Sequence, residues 1–228
     1  MKSSVLAATA CLFVFSCMSC GSDDGVTRPS IESVWSNMTT QPVEPVACAY
    51  PGQTISLRGS GFSGVNTLTV NGMDIDLTET QFYNTDRSII IVLPDDVATT
   101  TDTGAAYLKV SNAAGEATYQ PFYVFSADEQ PEITSVSSTT LTAGSTLCIA
   151  GANLGGATEV YLPLAFDQKV KCGFDTARTN SDTEVYVIVP DGVSFAQGKV
   201  EVVMTKTYAA TGDEYVEKVY SNEYNFSN

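Results

Sequence analysis

The second half of this chain repeats the spacing of the first, and that repeat limits the fold more than any other feature. Pro29-Ser30-Ile31-Glu32-Ser33-Val34 returns as Pro131-Glu132-Ile133-Thr134-Ser135-Val136. Gly52-Gln53-Thr54-Ile55-Ser56-Leu57-Arg58-Gly59 returns as Gly144-Ser145-Thr146-Leu147-Cys148-Ile149-Ala150-Gly151. Leu93-Pro94-Asp95-Asp96-Val97 returns as Val189-Pro190-Asp191-Gly192-Val193, and Gly104 through Val110 has its counterpart in Gly198 through Val203. The offset is roughly 92 to 102 residues, the length of one sandwich domain. Within each copy, short β-branched runs such as Ser88-Ile89-Ile90-Ile91-Val92 and Val185-Tyr186-Val187-Ile188-Val189 alternate with Gly, Asn, Asp and Pro clusters. That punctuation marks strands of a sandwich or barrel, and no sustained helical period follows residue 20. The pattern predicts an all-β chain, with one β-sandwich over 29–127 and a second over 131–228. The boundary falls at Ala127-Asp128-Glu129-Gln130.

Composition removes several functions. The chain carries 26 acidic and 11 basic residues, a net charge of −15. Such a field repels phosphate backbones, so no nucleic-acid partner is expected. Histidine is absent. That excludes Ser-His-Asp and Cys-His nucleophile systems and every histidine-ligated zinc site. Paired carboxylates hydrolyse glycosides without histidine, but no pair here stands out as a general acid and its partner. No catalytic residue, metal or cofactor is therefore assigned. Of the cysteines beyond residue 20, Cys48, Cys148 and Cys172 are odd in number, which leaves at least one unpaired. A Cys148–Cys172 bridge is one alternative. In Leu147-Cys148-Ile149 the alternation turns the two apolar side chains to the core and the thiol outward.

The N-terminus reads as an export signal. Lys2 precedes a mainly apolar run from Val5 to Phe15, too short to span a bilayer, and then Ser16-Cys17-Met18-Ser19. Cys20 follows, with Gly21-Ser22-Asp23-Asp24 behind it. This arrangement resembles a bacterial lipoprotein signal, with residues 1–19 cleaved, Cys20 acylated and 20–28 an acidic tether. Either Cys17 or Cys20 could be the acceptor, and the acidic pair favours Cys20. Small-then-acidic residues at that point look like a surface-export signal. The resemblance implies a palmitate-type lipid anchor in the outer membrane, with the protein facing the cell exterior.

Each copy also resembles an IPT/TIG domain, an immunoglobulin-like sandwich. The carriers are the early Pro-x-Ile, the Gly-x-x-ϕ-x-ϕ-x-Gly-x-x-Phe run (ϕ apolar), a Val-Pro dipeptide and a late Gly before the last two strands. The first copy has Gly59-Ser60-Gly61-Phe62, whereas the second has Gly151-Ala152-Asn153-Leu154. In exported lipoproteins this resemblance suggests carbohydrate-uptake systems, in which such modules space a terminal glycan-binding domain from the membrane. The repeats here run to Tyr224-Asn225-Phe226, so binding is expected from the sandwiches themselves. The resemblance implies a glycan ligand, or an outer-membrane transporter or surface protein as partner.

The copies differ most in their loops, and loops on a rigid sandwich are where binding resides. The first copy has about ten extra residues between Val34 and Gly52, holding Trp35, Pro42, Pro45, Cys48 and Tyr50. The second lengthens its last hairpin, between Met204 and Tyr224, which carries Tyr208, Tyr215 and Tyr220. Aromatic faces stack on sugar rings, so Trp35, Tyr50, Tyr208 and Tyr215 are the candidate ligand-binding residues. Trp35 corresponds to Ser137 in the second copy, so the fold does not demand an aromatic there. Gly59-Ser60-Gly61-Phe62-Ser63-Gly64 matches GxGxxG, but a strand follows, not the helix that a pyrophosphate needs. Asp74 and Asp76 are expected on one outward strand face, and Asp213, Glu214 and Glu217 on a solvated, charged hairpin.

Overall fold

Strand formation follows the two-residue period directly. Leu147 and Ile149 are buried and Cys148 faces outward, and Ile89 and Ile91 are buried while Ile90 is half-exposed. The computed structural model describes residues 25–36 and 44–228. The expected signal segment, Cys17, Cys20, the acidic pair Asp23-Asp24 and Pro42 lie outside the described residues.

The first half contains β1 (Ser30–Ser36), β2 (Cys48–Ala49), β3 (Thr54–Ser60), β4 (Thr67–Val70), β5 (Met73–Asp74), β6 (Phe82–Asn84), β7 (Ser88–Val92), β8 (Leu108–Asn112), β9 (Gly115–Tyr119) and β10 (Tyr123–Val124). Its four-stranded sheets run β1-β3-β7-β6 and β5-β4-β8-β9. The second half contains β11 (Glu132–Val136), β12 (Thr146–Ala152), β13 (Ala157–Pro163), β14 (Lys169–Lys171), β15 (Gly173–Phe174), β16 (Glu184–Ile188), β17 (Gln197–Thr207) and β18 (Glu214–Asn225). Its sheets run β11-β12-β16-β15 and β14-β13-β17-β18. Both halves therefore set one sheet in the order A-B-E-D against another in the order C′-C-F-G, which is immunoglobulin-like topology. The chain is all-β, built from two tandem β-sandwiches.

Each pair of sheets closes on its own core. Ile55, Leu57, Phe62, Leu68, Ile89 and Ile91 pack in the first, where Leu147, Ile149, Leu154, Val160, Val185 and Val187 pack in the second. Each such side chain contributes about 1.5–3 kcal/mol by leaving water. The repeated glycines have a steric reason. A β-carbon on Gly59 would stand 1.9 Å from the Ser30 carbonyl oxygen, and one on Gly151 would stand 1.9 Å from that of Glu132. Each would also meet the core residue three positions on, Phe62 or Leu154, at 3.0 Å. The close approach occurs where β1 and β11 shift register against their partners. The GxGxxG string is thus packing and turn: Gly61 and Gly64 take left-handed φ of 70° and 68° between β3 and β4, and no helix follows.

Two features break the symmetry. In the first half β2 pairs in parallel with β10, whereas the second half has only a parallel bridge between Thr140 and Ser227 at that place. The hairpin β17–β18 has strands of 11 and 12 residues, against 5 and 5 in β8–β9. Cys48, Cys148 and Cys172 are free thiols. The alternative Cys148–Cys172 bridge is not formed, because Cys172 is buried in the second core while Cys148 lies on the outer face of β12.

Candidate ligand-binding cleft

The inserted segment and the long hairpin meet each other. Pairing of β2 with β10 sets Ala49 and Val124 into the first core. The same alternation turns Cys48, Tyr50, Tyr123 and Phe125 to the opposite face, where water would otherwise reach them. Tyr208 and Tyr215 from the end of β17–β18 cover that face. The rings interlock: Phe125 stacks on Tyr215 at 5.2 Å between centroids, and Tyr123 lies 5.3 Å from Tyr208 and 5.9 Å from Phe125. Such pairs add about 0.5–1.5 kcal/mol each beyond the area they bury.

Buried tyrosines need partners for their hydroxyls, and each finds one across the junction. Tyr50 donates to Glu217 Oε1 at 2.6 Å, Tyr123 to Asp213 Oδ2 at 3.2 Å, and Tyr208 to the Thr100 carbonyl at 3.1 Å. Thr100 opens a one-turn helix, α1 (Thr100–Thr103), capped by Thr99. Burial pushes the Tyr50 hydroxyl far above its usual range, with Cys48 and Glu217 adding to it, so Tyr50 keeps the proton that it donates to Glu217. Burial and the Glu217 carboxylate likewise push the Cys48 thiol up, which favours its protonated form. Glu217 Oε2 lies 3.0 Å from Lys206 Nζ yet lacks hydrogen-bond geometry to any partner among the described residues. That contact is electrostatic and not directional.

Beside this junction the two sandwiches leave a cleft of about 360 Å³, a size that fits a small ligand. Glu44, Pro45, Tyr50 and Gln53 line it from the first half, with Tyr119 and Pro121. Val216, Glu217 and Lys218 line it from the second, with Gln130 and Pro131 at the connection. Glu44 ties the halves together here: it pairs with Lys218 and accepts from the Tyr220 hydroxyl at 2.7 Å. Carboxylates, amides and an ammonium thus surround apolar proline, valine and tyrosine surface. Such a lining offers hydrogen bonds and apolar contact together. Among the described residues, no group of three ligating side chains is placed to hold a metal ion.

The candidate residues distribute unevenly. Tyr50 and Tyr208 are 3% and 8% exposed, and Tyr215 is half-buried. The expectation of open aromatic loops is corrected for these rings, because each loop supplies the cover the other lacks. Trp35 does not join the cluster. It is half-exposed on β1, donates from Nε1 to Ser33 Oγ at 2.8 Å, and carries the Arg58 guanidinium 3.7 Å above its ring. The solvated reading of Glu217 is also corrected, since it is buried between Tyr50 and Lys206. Asp74 and Asp76 are exposed as expected and accept from Thr69 and Thr78. The sequence reading missed Glu44, Tyr123 and Phe125. For the last two a signal existed: Phe122-Tyr123-Val124-Phe125 is apolar at every position, as in a strand covered on both faces.

No protein-family model matches the chain, and no curated protein matches it in sequence. Among solved structures it is similar to a protein crystallised with a xylogluco-oligosaccharide, at 18% identity and a TM-score of 0.35, covering 88% of this chain and 41% of that one. It is similar to a surface glycan-binding protein of a Bacteroides ovatus mixed-linkage glucan utilization locus, at 16% identity and a TM-score of 0.32, covering 80% and 45%. It is also similar to a pair of titin immunoglobulin domains, at 9% identity and a TM-score of 0.28, covering 86% and 97%. The chain thus spans less than half the length of the first two.

Proposed function

We propose that this chain is a non-catalytic, outer-surface lipoprotein of two IPT/TIG-like sandwiches, 29–127 and 131–228, that binds an extracellular glycan in the cleft between them. The observation that carries this reading is that the two loops by which the copies differ close on one cleft. A plain tandem repeat has no need of either. The cleft's chemistry suits a saccharide, whose C–H faces are apolar and whose edges are hydroxyls. Burial of Tyr50 and Tyr208 favours a second reading, in which the locked junction makes the chain a rigid spacer beside an outer-membrane transporter.

Val216 tests the choice. It is 55% exposed and lines the cleft, so Val216→Arg obstructs the space at little cost in stability, within about 0.5 kcal/mol as at other surface positions. On a glycan array and in affinity gels holding xyloglucan or mixed-linkage glucan, the full chain should bind and Val216→Arg should bind at least about tenfold more weakly, a loss of about 1.4 kcal/mol. Equal binding by both would sink the cleft as the site. The anchor is tested separately. Cys20→Ser should move the protein from the membrane to the soluble fraction and abolish lipid labelling, because stable attachment rests on the acyl chains. Cys17→Ser should leave it attached, and release by Cys17→Ser instead would reassign the acceptor.

A further inference from the structure

The hairpin joining β13 to β14 breaks two local rules at one residue. Phe166 is 94% exposed, and it sits at φ 59° with Asp167 at φ 56°. Two consecutive left-handed residues make a type I′ turn, which ordinarily takes Asn-Gly or Asp-Gly. A bulky side chain in that region costs about 1–3 kcal/mol, and such strain persists only where the surroundings impose it.

The surroundings do impose it. Leu164 N–H donates to the Gln168 carbonyl at 2.8 Å, and Leu164 bridges to Phe195 of the second core. Pro163 rests on Gly198, where a β-carbon would come within 2.5 Å of the proline ring. The turn is therefore clamped on β17 and holds Phe166 outward.

Phe166 borders a hollow of about 420 Å³ whose other walls include Gln168, Gln197, Glu201 and Tyr161. Glu201 is buried at 5% exposure and holds Lys169 at 2.5 Å, with the ammonium 4.5 Å above the Tyr161 ring. The lining sets Asp167 and Glu201 against Lys169 and Lys199, so its formal charges cancel and the hollow has no net pull on an anion. The other large apolar side chains exposed among the described residues are Tyr83 and Val216, and neither lines this hollow. A peptide strand or helix needs a row of apolar anchors. One fully exposed aromatic plate, with the half-buried Tyr161 and Tyr220 rings, amides and carboxylates beside it, matches an amphipathic ring with hydroxyls on its edge.

We propose that the hollow beside Phe166 is a saccharide-binding site distinct from the cleft, with Phe166 stacking on a sugar ring and Glu201, Gln168 and Gln197 receiving its hydroxyls. It shares the ligand class of the proposed function, and the two sites adjoin at Tyr220, which lines the hollow and donates its hydroxyl to Glu44 of the cleft.

The test uses Phe166→Asn in the full chain, since asparagine tolerates left-handed φ. The variant should melt no lower than the parent, while its affinity for array saccharides and for xyloglucan or mixed-linkage glucan in gels falls about tenfold, the scale of one ring-stacking contact. Phe166→Tyr should retain binding. A tenfold loss in each single variant means that cleft and hollow engage one glycan chain together, whereas loss by Phe166→Asn with Val216→Arg unaffected places the ligand at the hairpin and removes it from the cleft. Full binding by Phe166→Asn overturns this site and leaves the cleft reading standing. A parent chain that binds no saccharide overturns both.

Discussion

Truncating Phe125 to alanine should cost about 3–5 kcal/mol, the range for removing a buried phenylalanine, and the loss should fall on the junction between the sandwiches. Phe125 is 4% exposed and touches the rings of Tyr50, Tyr123, Tyr208 and Tyr215. It belongs to neither sandwich core. Leu57 and Phe62 in one core and Ile149 and Leu154 in the other keep their packing when it is removed. The variant should therefore retain both sandwiches while they separate, raising the radius of gyration in solution scattering. Cys48 gives a site-specific readout. It is 6% exposed in the junction, so a thiol reagent followed by mass spectrometry should leave it unlabelled in the parent and label it in Phe125→Ala. Cys172 reports on the second core; burial pushes its thiol up to about 12, and it should stay protected in both proteins. If Cys48 remains protected and the scattering profile is unchanged, the aromatic cluster does not hold the halves together. If Cys172 labels as well, the cost has fallen on the fold and not on the junction.

The cores were legible in the sequence because period-two alternation and steric glycine both act locally. Gly59 and Gly151 are forced by a carbonyl across the adjacent strand pair, so the same residue recurs at the same place in each copy. The junction was legible only as a difference in loop length. Where a long hairpin goes is decided by what it meets, and its partner lies far off in the chain: Tyr50 and Glu217 are 167 positions apart. Local pattern even points the wrong way there. In Tyr215-Val216-Glu217-Lys218, a rule that turns apolar residues inward would bury Val216 and expose Glu217. The structure leaves Val216 55% exposed and Glu217 8% exposed, because the face that carries Glu217 lies against Tyr50. Phe166 is the opposite case. Its exposure and its left-handed backbone are local, yet nothing in Leu164-Ala165-Phe166-Asp167 departs from ordinary turn-and-strand composition enough to announce them.

Glu217 offers the other large effect, because it is a buried charge with two dependents. Glu217→Ala removes the acceptor of the Tyr50 hydroxyl and the counter-charge of Lys206 in one step. Breaking a buried pair costs about 3–5 kcal/mol. The lower end applies here, since the Lys206 side chain keeps 19% exposure and can swing its ammonium toward water. Tyr50→Phe strands only one carboxylate oxygen and should cost about 1.5–3 kcal/mol, the value of a hydrogen bond to a charged group. The double variant Tyr50→Phe/Glu217→Leu removes both polar groups and fills their space with carbon, which is often neutral at buried ion pairs. It should recover most of the stability that Glu217→Ala loses. Denaturant midpoints of the three proteins, with site-resolved labelling of Cys48, decide the matter. Recovery in the double variant would mean that the polar network fixes how the sandwiches dock without supplying net stability. A double variant as unstable as Glu217→Ala would mean instead that the carboxylate itself holds the junction through Lys206.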